Sequence, residues 1–336
     1  MSAIPNQTNK RPSTLRKIVI PVISTLLLTV ITLLYGNRLY DFVSARLFTP
    51  SSEVVAIHNS IGLTAQGSDL FYASKPAIES NEEFNAACNS AERTAAILGC
   101  YYKRSIHIYD VTNTELAKAE NVSAAHEMLH AAYERLNFID RSNVDSMLTI
   151  EYAKLKNDSE LQKLMEYYKQ AEPDALTNEL HSIIGTTIAD LSPGLESYYE
   201  RYFKDRQKLV AMNQEYNDVF ASIEKQSAEL SAKVDAMKTQ LDADLASYAS
   251  DLDQLDADIS TFNTRAADGY YRTVSAFNAA RQVLTGRVAS LNARRSEVNA
   301  RVAEYNGYVA ELNKLSIRVN ELNSSINGIT EPEASL

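Results

Sequence analysis

The stretch HEMLH at residues 126–130 sets the centre of the fold, because it fixes a helix and the side chains that share one of its faces. Positions i and i+4 of a helix lie on the same face. Both imidazoles, His126 and His130, can therefore bind one tetrahedral zinc ion, with Glu127 beside it. No glycine or proline interrupts the surrounding residues 123–136. With only 5 histidines in the chain, this spacing favours a metal site over two unrelated histidines.

A third zinc ligand must come from elsewhere, because catalytic zinc normally has three protein ligands and a water. The extended motif H-E-x-x-H-x-x-G-x-x-H is absent, since Tyr133 and Leu136 stand at its glycine and third histidine. Residues 178–181, Asn-Glu-Leu-His, lie in an apolar-periodic run and offer Glu179 as the third ligand. His181 is about 200° around a helix from Glu179, so the two do not readily face one metal.

Three roles remain open for His181 at this stage. It can replace Glu179 as the third ligand in a three-histidine site. It can lie at the edge of the cleft and stabilise a developing oxyanion as a catalytic residue, which is the role we predict. It can also be a hydrogen-bonded histidine with a structural role.

The two segments together resemble the gluzincin-type zinc metallopeptidases, in which two histidines and a glutamate hold the metal. The resemblance covers about residues 115–200, and Ile183 stands where some members have an aspartate. It implies a zincin-like metallopeptidase domain, which we place at 50–205, with Zn²⁺ held by His126, His130 and Glu179. The implied reaction is hydrolysis of peptide bonds by a zinc-activated water, with Glu127 as the general base.

The N-terminal region predicts a membrane anchor. Residues 18–35 form an apolar run without a charged side chain, and the 17 residues before it contain four basic and no acidic residues. The positive-inside rule then predicts a cytoplasmic basic tail at 1–17, a single-pass transmembrane anchor at 18–36 and an extracytoplasmic catalytic domain at the cell membrane. A cleaved signal peptide, with a small-residue site at 43–45, is the alternative.

Cysteine content and charge limit the other classes of function. Cys88 and Cys100 are the only cysteines, and on the outer side of a membrane we expect them to form a disulfide, with two free thiols as the alternative. The formal net charge is −10, which disfavours binding to nucleic acid. No glycine-rich phosphate loop is visible, so nothing indicates a nucleotide cofactor.

The domain around the motif is expected to be α+β and mainly α. Residues 69–74 and 105–111 are rich in aromatic and β-branched residues and predict strands. The second of these is expected to run along the cleft, where an extended substrate pairs with its backbone. Residues 141–175 predict helices between the two ligand segments.

The C-terminal third carries a heptad pattern. Apolar residues recur every three or four positions over 206–327, apart from the polar Ser227 and Arg295 in the seam, and the pattern breaks around Gly269. This predicts an antiparallel coiled-coil hairpin, with a parallel dimer of a longer rod as the alternative, and a disordered tail at 328–336. The hairpin offers a surface for a protein partner or for self-association.

These observations lead to two interpretations from different classes. The first is a membrane-anchored extracytoplasmic zinc metallopeptidase that acts on a peptide or protein. The second is a non-enzymatic envelope scaffold that acts through its coiled coil and keeps a structural or decayed metal site. Glu127 favours the first, because a purely structural zinc site needs no general base beside the metal.

Overall fold

The computed structural model describes residues 14–88, 98–171 and 173–326. Of the expected terminal segments, the tail 328–336 and most of the basic tail 1–17 lie outside these residues. The described part is mainly α-helical and contains a three-stranded sheet, which confirms the expected balance of helix and strand.

The chain runs through its elements in the following order. They are α1 (Thr14–Leu47), α2 (Ser52–Ile61), α3 (Ala65–Ala73), β1 (Ala77–Glu79), α4 (Asn81–Cys88), β2 (Gly99–Tyr102), β3 (Ser105–Tyr109), a 3₁₀ turn (Thr114–Leu116), α5 (Lys118–Glu134), α6 (Phe138–Lys154), α7 (Ser159–Ala171), α8 (Leu176–Thr187), α9 (Pro193–Tyr199), α10 (Arg206–Ala267) and α11 (Val274–Ile326).

The described residues divide into two compact units. One contains the chain up to Asn217 together with its end from Ser324, and the other contains Asp218–Asn323. Helix α5 lies in the core of the first unit, where nearly every residue of 124–133 is buried and the helix packs against α8, β2 and β3. The segment is rich in alanine, which favours helix and allows close packing. The histidine pair therefore sits on a helix whose central residues are buried in the first unit.

The sheet has the strand order β1-β3-β2, and it corrects two expectations. Strand β3 is central, parallel to β1 and antiparallel to β2, so β1 and β2, rather than the predicted 105–111, form the edges of the described sheet, and β2 is the edge strand that packs against α5. The predicted strand at 69–74 is instead most of helix α3, because Leu70 and Phe71 are buried on one helical face behind the N-cap Thr64. Helical spacing of these apolar residues prevailed over their strand propensity.

A two-residue turn joins β2 to β3. Both of its residues, Lys103 and Arg104, have positive φ, at 49° and 64°. Such a turn twists in the same sense as the strands it connects and fixes their register, with Cys100 opposite His107. In this register Gly99 and Tyr101 direct their backbone groups away from β3.

The second unit is a pair of long helical segments in antiparallel contact. Three ion pairs join its arms at intervals of seven residues on each arm: Asp258 with Arg287, Asp251 with Arg294, and Asp244 with Arg301. Gly269, with φ of 68°, lies in the turn between the arms. The pairing is therefore within one chain, as the expected hairpin requires.

Helix α1 contains the expected anchor at 18–36. Within the part of the chain that the structure describes, no helix combines the length and apolar character needed to cross a membrane. The anchor is thus not confirmed. The C-terminal part of α1 packs against α3, and its Asp41 accepts a hydrogen bond from Arg135 at 2.8 Å.

Candidate metal centre

Helix α5 places His126 and His130 on one face, as their spacing predicts. Their rings lie 4.7 Å apart between centroids and are nearly perpendicular. His130 is buried, and the side chain of His126 is 18% exposed. His126 is therefore at the wall of the site and His130 is at its base.

Glu179 reaches both histidines from the first turn of α8. Its carboxylate oxygens lie 3.7 Å from His126 Nε2 and 3.4 Å from His130 Nε2, and Glu179 is only 1% exposed. Ligand atoms about 2.0–2.2 Å from a tetrahedral zinc ion stand roughly 3.3–3.6 Å apart. Among the described residues, one group of three or more His, Cys, Asp or Glu side chains has its possible ligand atoms within 4.8 Å of one another. This group is His126, His130 and Glu179.

The hydrogen bonding of this cluster fits a metal ion. His130 Nε2 is buried and makes no hydrogen bond, although it points toward the Glu179 carboxylate. A buried polar atom without a partner is costly unless something else satisfies it. A cation between His130, His126 and Glu179 satisfies that nitrogen, so the three residues fit a divalent metal.

The cluster also shifts the pKa values of its members. Burial lowers the pKa of His130 to about 4, so this imidazole is neutral and able to bind a metal. Burial would lower the pKa of His126 as well, but the Glu179 and Glu127 carboxylates outweigh it and the net shift is upward. Burial, followed by the Glu179 charge, raises the pKa of Glu127 to about 8. Added positive charge would favour the ionised carboxylates.

The side chain of Glu127, on α5, packs against the edge strand β2. Gly99 approaches it so closely that an added Cβ would lie 2.8 Å from Glu127 Cγ and 2.4 Å from Ser123 Oγ. A hydrogen bond from the backbone of Tyr101 favours the ionised form of the Glu127 carboxyl group and moderates its raised pKa. Glu127 Oε2 is buried and has no hydrogen-bond partner. This oxygen is therefore the atom of the carboxyl group that is available for proton transfer.

Strand β2 is fastened at both faces. The disulfide Cys88–Cys100 ties it to α4, which confirms the expected pairing. The buried side chain of Arg135 donates hydrogen bonds to Tyr101 Oη at 2.9 Å and to Ser74 Oγ at 3.1 Å. The strand that contacts Glu127 is thus linked to the end of α5.

The structure does not bring His181 to the metal group or to the cleft. The side chain of His181 is fully buried on the side of α8 away from Glu179. Its Nε2 shares a 2.9 Å hydrogen bond with Tyr198 Oη, and its ring contacts the rings of Tyr133 and Tyr199. Burial lowers its pKa well below the usual value. The 200° separation from Glu179 on one helix explains this, because the two side chains leave α8 on opposite sides. The geometry gives no support to the predicted oxyanion role.

A cavity of about 280 Å³ opens beside His126 and Glu127. Its walls come from α5, α7, α8, the first turns of α10 and the start of β2. A larger cavity, of about 340 Å³, lies between α1 and α3 and does not include the metal group. Only the first has the chemistry of the motif in its wall, so it is the candidate cleft.

Several residues of the site had no detectable signal in the sequence. Gly99 and Tyr101 matter through backbone position, which only the fold defines. Arg135 follows the motif by five residues, yet its partners come from α1, the segment after α3, and β2. Leucines and tyrosines of the cleft read in the sequence as ordinary core residues.

Comparison with known proteins finds no match: no family model fits the sequence, and no curated protein or solved structure is similar to it. The assignment of the site therefore depends on its own geometry.

Proposed function

We propose that this protein is a zinc-dependent metallopeptidase. The observation that carries the proposal is the convergence of His126, His130 and Glu179 on one point, with the buried carboxyl group of Glu127 next to it. Two histidines and a glutamate form a ligand set of catalytic zinc, which leaves one position open. When bound, zinc would supply a Lewis acid for a carbonyl group and for water.

The protein's own groups supply the rest of the reaction. Glu127 Oε2 removes a proton from the water that attacks the peptide carbonyl and later passes it to the leaving amine nitrogen. Gly99 leaves room for this carboxyl group, and the Tyr101 backbone fixes its orientation. Gly99 lines the cavity at the start of β2 and directs its backbone groups away from β3, so an extended substrate can pair with the backbone there.

The test is to measure zinc content and hydrolysis on the same preparations. We expect about one zinc per chain in the wild type, and loss of zinc in His126→Ala, His130→Ala and Glu179→Ala. Glu127→Gln should keep zinc and lose roughly 10²–10⁴-fold in the rate of peptide hydrolysis. Glu160→Gln, on the exposed face of α7, is the matched control and should behave as wild type.

Two results would overturn the proposal. Absence of zinc binding by the wild type would remove the metal centre, and equal hydrolysis by wild type and Glu127→Gln would assign the activity elsewhere. Bound zinc without cleavage of any peptide would favour the scaffold alternative. The helical pair of Asp218–Asn323 is the observation that favours such a role, because it offers a long surface for a protein partner.

For the location of the protein, we propose an extracytoplasmic site. The Cys88–Cys100 disulfide supports this, since disulfides persist in oxidising compartments. The basic N-terminal segment followed by the apolar run 18–35 also supports it, as a membrane anchor with a cytoplasmic N-terminus. Protease added outside intact cells should then digest the chain beyond residue 36, and full protection would reverse the orientation.

A further inference from the structure

The cleft beside the metal group is walled by side chains that carry no charge, apart from His126 and Glu127. Among the described residues that line it, Leu98, Val122, Leu164 and Ile183 supply apolar surface. The remaining polar groups are hydroxyls and an amide. A charged group moved into such a wall loses hydration without gaining a partner, whereas an apolar group gains by leaving water.

The size of the cleft limits what it holds. Its volume of about 280 Å³ is just below the range of roughly 300–1,000 Å³ that is common for small-molecule sites. It accommodates one large side chain with its adjoining backbone. Since His126 and Glu127 form part of the wall, that side chain must belong to a residue next to the bond that is cleaved.

Two of the walls come from outside the ligand helices. Helix α7 contributes Leu164 and Tyr168, and the first turns of α10 contribute Asn213 and Tyr216. Tyr168 is only 8% exposed, while Leu164 is 39% exposed and lies where the cleft meets solvent. The residue at position 164 can therefore change without disturbing the core.

We propose that this cleft selects peptides with a medium or large apolar side chain beside the scissile bond, and that Leu164 is a residue that determines this specificity. The inference rests on the proposed peptidase function and names its substrate class. Single apolar groups in such pockets change kcat/KM by about 10–200-fold. We expect a leucine, methionine or phenylalanine peptide to exceed the alanine peptide by roughly that factor, and aspartate and lysine peptides to be poorer still.

The test uses the full chain with zinc and a set of fluorogenic peptides that differ at one residue flanking the cleaved bond. Leu164→Lys places a cation at the cleft and should raise the ratio of kcat/KM for the glutamate peptide over the leucine peptide by about tenfold or more. Ile150→Lys makes the same change on α6, where Ile150 is 61% exposed and does not line the cleft, and should leave the ratio unchanged. Leu164→Ala should shift the peptide preference toward phenylalanine and tyrosine, because the smaller side chain enlarges the cleft at this wall.

The outcomes separate this inference from the proposed function. An unchanged preference in both Leu164 variants, with zinc bound and peptide cleaved, would overturn the specificity pocket alone. Failure of the wild type to cleave any peptide of the set while holding zinc would instead overturn the peptidase proposal. If Leu164→Lys does not fold, as judged by circular dichroism and zinc content, the result of Leu164→Ala decides.

Discussion

The pKa shifts at the candidate metal centre follow from burial and from the carboxylates and imidazoles packed around each group. Glu127, with a pKa raised to about 8, is largely protonated at neutral pH without a metal. Against the effect of burial, the Glu179 carboxylate, 3.7 Å from His126 Nε2, and that of Glu127 raise the pKa of His126, and this favours its protonated form. Both groups must lose protons before zinc is bound and a base is present.

Zinc binding should therefore release protons from Glu127 and His126. The sign follows from the shifts, since groups whose pKa is raised in the metal-free protein hold protons that a dication displaces. We expect zinc affinity to increase as pH rises from about 6 to about 8. Calorimetric titrations in buffers with different ionisation enthalpies measure the number of protons released at each pH.

Glu127→Gln serves as the comparison in that titration. Glutamine carries no ionisable proton at this position, so the variant should release fewer protons than wild type while it still binds zinc. Equal proton release by both proteins across this pH range would show that Glu127 is already ionised in the metal-free state, contrary to the burial argument.

The two histidines of the candidate metal group could be predicted from sequence because their spacing is local, whereas Glu179 was predicted from its place in an apolar-periodic run much further along the chain. An i, i+4 histidine pair defines a helix face by itself, and the structure brings His126, His130 and Glu179 together. The role of His181 could not be predicted in this way. Its surroundings are the rings of Tyr133, Tyr198 and Tyr199, which reach it from α5 and α9, and such packing depends on tertiary structure.

At the scale of the elements, close packing of α5 against α8 brings the three candidate metal ligands together. A Cβ added at Gly185 would lie 2.5 Å from Leu129 Cδ1 and 2.7 Å from Tyr199 Cε1. Leu129 and Tyr199 are fully buried and cannot move aside without disturbing the core. Glu179 lies six residues earlier on the same helix, so displacement of α8 also displaces this ligand.

Gly185→Ala should weaken both the fold and the metal site. Overpacking of a core contact costs about 1–3 kcal/mol, which should lower the free energy of unfolding by that amount. We expect zinc affinity to fall by roughly 10–100-fold, as it does when groups that orient metal ligands are disturbed. Chemical denaturation and competition with a zinc chelator measure the two effects.

Gly286→Ala is the matched control for that variant. Gly286 lies within α11 with no atom near the position of an added Cβ, so alanine should stabilise the helix by about 0.5–1 kcal/mol. A Gly185→Ala protein with wild-type stability and zinc affinity would show that the α5–α8 contact yields without moving Glu179.

At this scale the sequence predicted element types unevenly. The heptads and the motif helix were predicted well, since both have long or strict periodicity. Residues 69–74 were wrongly predicted as a strand, because a short apolar run fits a strand and a buried helix face equally. The central position of β3 depends on its pairing with β1, which residues 105–111 alone do not encode.

For the molecule as a whole, charge explains why the long helical segments pair within one chain. The arm 218–267 carries ten acidic and four basic residues, whereas the arm 274–323 carries seven basic and four acidic residues. Antiparallel pairing inside the chain sets the acidic arm against the basic one, as the pair Asp251–Arg294 at 2.6 Å shows. A parallel dimer would set acidic arms side by side, and like charges oppose that arrangement.

The extent of the two units leads to the last prediction, which compares two deletions. Replacing Asp218–Asn323 by a short glycine-serine linker removes only the second unit, so zinc content and hydrolysis of small peptides should stay within about twofold of wild type. Deleting 209–326 also removes Leu209 and Met212, which are 0% and 4% exposed in the first unit. Loss of each buried side chain costs about 2–5 kcal/mol against a typical total stability of about 5–15 kcal/mol, so this shorter protein should lose its cooperative thermal transition.

Circular dichroism, zinc analysis and peptide hydrolysis on both proteins test this prediction. Equal folding of the two deletions would mean that the base of α10 does not belong to the metal-binding unit, and loss of zinc from the first deletion would mean that the helical pair is needed to form it.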